Sequence, residues 1–156
     1  MDIQLIRATV DDAERIRGML QEAFADLLEK YRDYDTNPAM MTAEAVRWRL
    51  EQEQTYYYFI VLDGETVGGI RVVDFKDGQR RKRISPLFVM PAHRNRGVAQ
   101  RAMALAEAIH GPRRWMLDTV LQEPGNCHLY EKMGYHPTGQ TEVINERMTL
   151  VFYEKD

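Results

Sequence analysis

Arg94-Asn95-Arg96-Gly97-Val98-Ala99-Gln100-Arg101 sets three arginines around one glycine, a combination suited to holding an anion. If a helix opens at that glycine, its first backbone N–H groups, including those of Val98, Ala99 and Gln100, lack partners inside the helix and carry the positive end of its dipole. A phosphate fits there. Gly97 would let the anion touch bare backbone, and Ala99 is about the smallest residue that still favours helix. There is neither a Gly-Lys-Ser/Thr nor a G-x-G-x-x-G at this turn, so two other phosphate cradles fit less well. The bland alternative is a capped surface helix with solvated arginines.

The elements that must position this turn are legible on either side of it. Leu87-Phe88-Val89 is a short apolar run stopped by Pro91 and reads as a strand, while Val98, Ala102, Leu105 and Ile109 predict one face of a helix from Gly97 onward. His93, beside the turn, reads as local packing or a phosphate contact. Upstream, Ile3–Arg7 predicts a strand, and Thr9-Val10-Asp11-Asp12 a capped start to a helix whose apolar face is Ala13, Ile16, Leu20, Ala23, Phe24 and Leu27. Periodicity is lost from Lys30 to Met41, a loop that is either a binding lid or disordered; a short helix follows Thr42.

Tyr56–Leu62, Asp63-Gly64 and Thr66–Val73 predict a hairpin, and Gly68-Gly69 within it a bulge or a close backbone approach. Arg80-Arg81-Lys82-Arg83 reads most simply as a solvated hairpin end leading into the next strand. Arg114–Val120 predicts a fifth strand, Pro124-Gly125-Asn126 a helix start and Gly134 its left-handed stop; Thr141–Tyr153 closes the sheet as a last strand. This order demands a sheet antiparallel in its first half with one parallel pair, and such a sheet splays at one place. The splay would leave free main-chain groups beside the helix N-terminus.

At 156 residues and 44% hydrophobic composition, one domain spanning residues 1–156 is expected. A net charge of -3 argues against a nucleic-acid or anionic-membrane binder, because such proteins need a basic excess to displace counterions. No run is long enough to span a membrane, and the N-terminus lacks a basic region followed by an apolar one. Cys127 is the only cysteine, so no intrachain disulfide can form. The expectation is a cytoplasmic protein.

Arg94, Gly97 and Ala99 follow a strand ending in Val-x-Pro, in the order Arg-x-x-Gly-x-Ala. Leu117-Asp118-Thr119, Asn126 and Leu129-Tyr130-Glu131-Lys132-Met133-Gly134-Tyr135 make a second signature, an Asn and a Tyr before Lys-x-Gly-aromatic. In both the chain resembles the GNAT superfamily of N-acetyltransferases, from about Tyr56 to Tyr135, with a plausible family start at Ile3 to Leu28. The resemblance implies an α/β (α+β) fold, a mixed, mostly antiparallel central sheet of about seven strands flanked by about four helices and splayed at an acyl-CoA cleft.

It also implies that Leu87, Phe88, Val89, Arg94, Asn95, Arg96, Gly97, Val98, Ala99, Gln100 and Asn126 bind acetyl-CoA as co-substrate, with no metal. A main-chain N–H of Leu87–Val89 would polarise the thioester carbonyl, and Tyr130 would act as acid toward the leaving thiolate. A phenol near pKa 10 is protonated at neutral pH and can share its proton with a thiolate whose parent thiol is near 8.5.

Many relatives place a carboxylate on the strand before the cradle, but Ile84–Phe88 has none. Asp118, Asp74 and a water chain remain as candidate bases, and Cys127 has no assignable histidine partner for covalent catalysis. The same resemblance makes the Lys30–Met41 loop a wall of the acceptor site, where Tyr31, Tyr34, Asp33 and Asp35 would suit a cationic amine, with Asp118 a further substrate candidate; a merely solvated loop is the equal alternative. The expected activity is direct acetyl transfer to a primary amine of a small molecule or peptide. A non-catalytic acyl-CoA sensor of the same fold is the rival, a nucleotide-phosphate binder the third reading, and a homodimer is left open.

Overall fold

The computed structural model describes residues 2–156. Its seven strands form one sheet in the order β1-β2-β3-β4-β5-β7-β6, with β1 Ile3–Arg7, β2 Thr55–Leu62, β3 Glu65–Val73, β4 Lys82–Val89, β5 Trp115–Val120, β6 His136–Asn145 and β7 Met148–Lys155. Four α-helices accompany it: α1 Ala13–Tyr31, α2 Ala43–Glu51, α3 Val98–His110 and α4 Pro124–Lys132. Every neighbouring strand pair is antiparallel except β4 and β5.

Local chemistry sets most boundaries. The Thr9 N–H donates to the Asp12 carboxylate (2.9 Å) just before α1, and Thr42 Oγ1 accepts from the Ala45 N–H (3.1 Å) at the start of α2. Asp63 and Gly64 join β2 to β3, both in the left-handed region that a two-residue hairpin favours. Gly68 and Gly69 let β4 approach β3: a Cβ on Gly68 would lie 2.2 Å from the Phe88 carbonyl oxygen, and one on Gly69 2.6 Å from the Phe88 ring. Both parts of that expectation hold, since the β2–β3 register also shifts at Ile60/Val61, opposite Gly68 and Thr66.

The sheet separates two cores. Tyr58, Ile60, Ile70, Val72, Ile84, Trp115 and Leu117 pack with Val98, Ala102, Met103 and Ala106 of α3 and Tyr130 of α4, while Tyr57, Phe59 and Phe88 pack on the opposite face with Ala13, Ile16, Leu20 and Ala23 of α1 and Val46 of α2. The buried face of α3 therefore differs from the predicted stripe. Val98 and Ala102 belong to it, but Ile109 is 55% exposed and the small Ala106, with Met103, takes the sheet side, where little room is left.

The C-terminal segment also differs from the expectation of one last strand from Thr141 to Tyr153: it is a hairpin, β6 and β7, turned at Glu146-Arg147. That turn has no glycine or proline to announce it; Asn145 holds it by accepting the Arg147 N–H on its side-chain oxygen (2.8 Å). The Lys30–Met41 segment is built as well. Helix α1 runs to Tyr31, buried Asp33 accepts from the Asp35 and Thr36 N–H groups (3.2 and 2.9 Å), and Asn37 caps a short turn at Pro38–Met40.

The feature that makes a site is the β4–β5 seam. Only Lys82↔Trp115 and Arg83↔Met116 pair across it, and beyond them the strands part. The charge run belongs to the closed end of that seam: Arg81 bonds the Trp115 and Lys155 carbonyls (3.3 and 3.2 Å) and Arg83 the Asp118 carboxylate (2.8 Å). Lys82 lies about 23 Å along β4 from Val89, at roughly 3.3 Å per residue, too far to touch an anion at the Gly97 turn.

Candidate active site

The open end of the seam is a cleft of about 410 Å³ walled by α1 (Ala23, Phe24), β4 (Leu87–Val89), α3 (Val98–Gln100) and α4 (Asn126, Tyr130). Of the residues expected to bind the cofactor, Leu87, Phe88, Val89, Arg94, Asn95, Gly97, Val98, Ala99, Gln100 and Asn126 all line it. Arg96 stands outside the lining, its guanidinium 3.3 Å from His93 Nδ1, while His93 Nε2 meets Glu65 at 3.0 Å.

Gly97 is the N-cap of α3 with φ 76°, and no side chain caps that helix, so the amides of Val98, Ala99 and Gln100 face the cleft mouth without partners in the helix. A Cβ on Gly97 would meet nothing within 4 Å, the open volume an anion needs beside bare backbone. A second set of free donors follows from β4. The Met90 N–H donates to Val67 O (2.7 Å), across to β3. Because successive N–H groups alternate sides along a strand, those of Leu87 and Val89 point the other way, into the splay, where no strand pairs with them.

Arg94 does something the sequence did not announce. Its guanidinium donates to the Val89 carbonyl (3.1 Å), the Asp26 carboxylate (3.0 Å) and the Ala23 carbonyl, tying the end of β4 to α1 across the cleft. It is a strut, so its charge is largely engaged before any ligand arrives. Arg94→Ala should therefore lower the stability of the ligand-free protein by roughly 1–2 kcal/mol, the net value of one or two such bonds. Arg96→Ala should leave that stability within about 0.5 kcal/mol while reducing the salt dependence of cofactor binding. Urea denaturation of both variants checks this; equal stability of Arg94→Ala and the unmodified protein would remove the strut.

Tyr130 is buried, its ring packed against Tyr135 and Tyr153 with centroids 6.2 and 6.3 Å away. Its hydroxyl has no hydrogen-bond partner among the described residues, and the residue lines the cleft. Burial, followed by the nearby Asp118 and Cys127, pushes its pKa up to about 12. Asn126 is in the first turn of α4, after Pro124, and faces the same cleft.

The remaining candidates are placed differently. Tyr31 is buried and its hydroxyl donates to Glu123; Tyr34 is 58% exposed. Asp118 holds Arg83 at the vertex of the seam, and Asp74 bonds His110 Nδ1 (2.9 Å), whose Nε2 meets the Tyr58 hydroxyl (2.8 Å). Asp74 follows Val73, the partner of Arg83, whereas Ile70 is the partner of Leu87, where the β4 wall of the cleft begins, so Asp74 lies about 13 Å along the sheet from the cleft.

Two carboxylates line the cleft, Asp26, which is held by Arg94, and Glu123, which sequence reasoning missed. Glu123 accepts from Lys30 Nζ (2.7 Å) and from the Tyr31 hydroxyl, and although burial raises its pKa, these two bonds lower it further. The available signal was its position directly before Pro124 at the start of a helix; its partners, more than ninety residues upstream, gave none.

The arrangement can hold an anion at α3, an extended arm along β4 and a weak acid at Tyr130. Among curated proteins none matches the chain by sequence. Solved structures share its fold: an acetyltransferase from Thermus thermophilus (17% identity, 99% of this chain and 97% of that one, TM-score 0.73) and the PaiA N-acetyltransferase from Thermoplasma acidophilum in complex with coenzyme A (13%, 97% and 98%, 0.71). So does the Microcin C7 self-immunity acetyltransferase MccE in complex with acetyl-CoA and AMP (13%, 99% and 92%, 0.74). The model of the acetyltransferase (GNAT) family matches residues 20–135, which takes in both sequence signatures, the splayed seam and every wall of the cleft, and the chain belongs to that family.

Proposed function

We propose that the protein is an acetyl-CoA-dependent N-acetyltransferase that passes the acetyl group directly to a primary amine. One observation carries the reading: the unsatisfied amides of α3, the unpaired N–H groups of Leu87 and Val89, and the free hydroxyl of Tyr130 all open onto one cleft. That order suits a pyrophosphate, a pantetheine arm and a thioester in turn. Backbone amides at the α3 terminus would hold the pyrophosphate, and the arm would add hydrogen bonds along β4 as a missing strand does. The Leu87 or Val89 N–H would stabilise the oxyanion. That relatives of this fold have been solved with coenzyme A and with acetyl-CoA supports the assignment.

No carboxylate stands free near the seam to take the proton of the attacking amine. Asp118 is bound to Arg83 and Asp26 to Arg94, Asp74 is remote, and Glu123, held by Lys30 and Tyr31, is too weak a base for an alkylammonium. The amine therefore enters neutral or loses its proton through water. Thiol release from acetyl-CoA in the presence of primary amines tests the proposal; its rate should rise with pH as more amine is neutral. Acetyl-CoA binding without thiol release from any amine between pH 6 and about 9.5 would make the protein a sensor.

A further inference from the structure

On the α1–α2 face of the sheet, next to the vertex of the seam, buried donors lie together with too few acceptors. Tyr57 on β2 stands directly opposite Arg71 on β3. Across β4 the register shifts, Ile70 pairing with Leu87 but Val72 with Ile84, so Ser85 and Pro86 stand opposite Arg71, whose guanidinium donates to the Ser85 carbonyl (2.7 Å). Arg83 is two residues before Ser85, and Arg49 of α2 joins from above: Arg49 and Arg83 both depress the pKa of Arg71, which burial above all pulls down to about 10.

One carboxylate, Asp118, bonds any of these cations, and it bonds only Arg83 (2.8 Å). Arg71 is 9% exposed and Tyr57 2%, yet among the described residues Arg71 Nε, Arg83 Nε and the Tyr57 hydroxyl have no hydrogen-bond partner. Buried Arg71 and Tyr57, with Arg49 and Arg83 at the edge of the core and Asp118 as the one carboxylate bonded to the group, leave donors unpaired, which costs stability because buried polar groups are normally paired. An anion would satisfy them all, and charge-assisted bonds from guanidinium are the strong ones for carboxylate and phosphate. Arg49 and Arg83 are partly exposed and give such an anion a way in.

The cluster adjoins the place where the acetyl group must be attacked. Ser85 is two residues, roughly 7 Å, before Leu87, whose N–H enters the splay. Resting on the acetyltransferase reading, we infer that the acceptor is a primary amine that also carries an anionic group, a carboxylate or a phosphate, which Arg49, Arg71, Arg83 and Tyr57 hold while its amine faces the thioester. A polyamine, cationic throughout, is repelled from this site.

Thiol release from acetyl-CoA is measured with each of the twenty α-amino acids against its α-carboxamide, with O-phosphoethanolamine against ethanolamine, and with spermidine. The expected result is kcat/KM at least tenfold higher for an anionic amine than for its neutral counterpart, the carboxylate or the phosphate series naming the group. Tyr57→Phe removes only an unpartnered oxygen, so it should fold as well as the unmodified protein and raise KM for that amine about tenfold with kcat held; Arg49→Gln, on a partly exposed side chain, should do the same. Equal use of the neutral counterparts, or preference for spermidine, overturns the inference. So does the absence of thiol release with the whole panel while acetyl-CoA still raises the melting temperature, a result that leaves cofactor binding standing. If acetyl-CoA gives no melting shift, the acetyltransferase reading itself fails. The cluster is then judged by whether the anionic amines raise the melting temperature of the unmodified protein but not of Tyr57→Phe, and no such difference overturns it.

Discussion

Replacing Gly97 by valine should abolish the stabilisation that acetyl-CoA confers while leaving a folded protein. At 100 times its dissociation constant a ligand adds roughly 2.7 kcal/mol, which for a chain of this length is a melting shift of about 5–10 °C. Gly97 has φ 76°, and an L-residue held there costs about 1–2 kcal/mol, so the ligand-free variant melts somewhat lower for reasons unrelated to binding. Gly97→Asn separates the two effects. Asparagine tolerates the left-handed region, and in the ligand-free protein its Cβ meets nothing within 4 Å, so stability should hold. Its side chain would nevertheless fill the volume the pyrophosphate needs, and the acetyl-CoA shift should disappear in both variants. A full shift in Gly97→Asn would move the anion site away from this turn.

What could be read from the sequence was what is encoded locally. Gly97 as a helix cap, Gly134 as a left-handed stop, Asp63-Gly64 as a tight turn and Pro124 opening a helix each follow from the conformational limits of one or two residues. The α3 stripe was off because an alanine-rich helix offers several apolar faces, and the sheet selects the one with the smallest side chains, Ala102 and Ala106, at closest approach. The β6–β7 turn escaped because an asparagine side chain holds it, with no backbone special to mark it.

Long-range polar partners were not legible at all. Arg94 looks like a phosphate ligand in sequence, and only the fold brings Asp26 and the Ala23 carbonyl to it. Arg71 stood in the sequence only as one residue of a strand; the fold is what sets it opposite the irregular stretch of β4 and near Arg49 of α2. The site was recognisable as far as it is made of backbone and glycine, and hidden where it is made of side chains from distant segments.

Tyr130→Phe should cut turnover by roughly 10²–10⁴, the usual worth of a positioned acid, with little change in acetyl-CoA affinity. The ring's contacts with Tyr135 and Tyr153 survive the substitution, and the hydroxyl gives up no hydrogen bond, so the fold has no reason to weaken. The deletion of a buried oxygen could even stabilise it slightly. With its pKa pushed up to about 12 by burial, the phenol is a weaker acid than a thiol near 8.5, and full proton transfer to the thiolate is uphill. On the proposed reading Tyr130 would act by hydrogen-bonding the sulfur as negative charge grows on it, an interaction absent from the neutral thioester and strongest in the transition state. The loss should fall on kcat and kcat/KM alike, as it does when an interaction made only in the transition state is removed. The pH profile gives a second check with a definite sign. The protonated form is the active one and persists well past pH 10, so a rise in rate between pH 7 and 9.5 from deprotonation of the amine should be kept, at a lower level, in Tyr130→Phe. If the variant instead loses less than about tenfold, or loses only in KM, the hydroxyl positions substrate and the thiolate is stabilised by water.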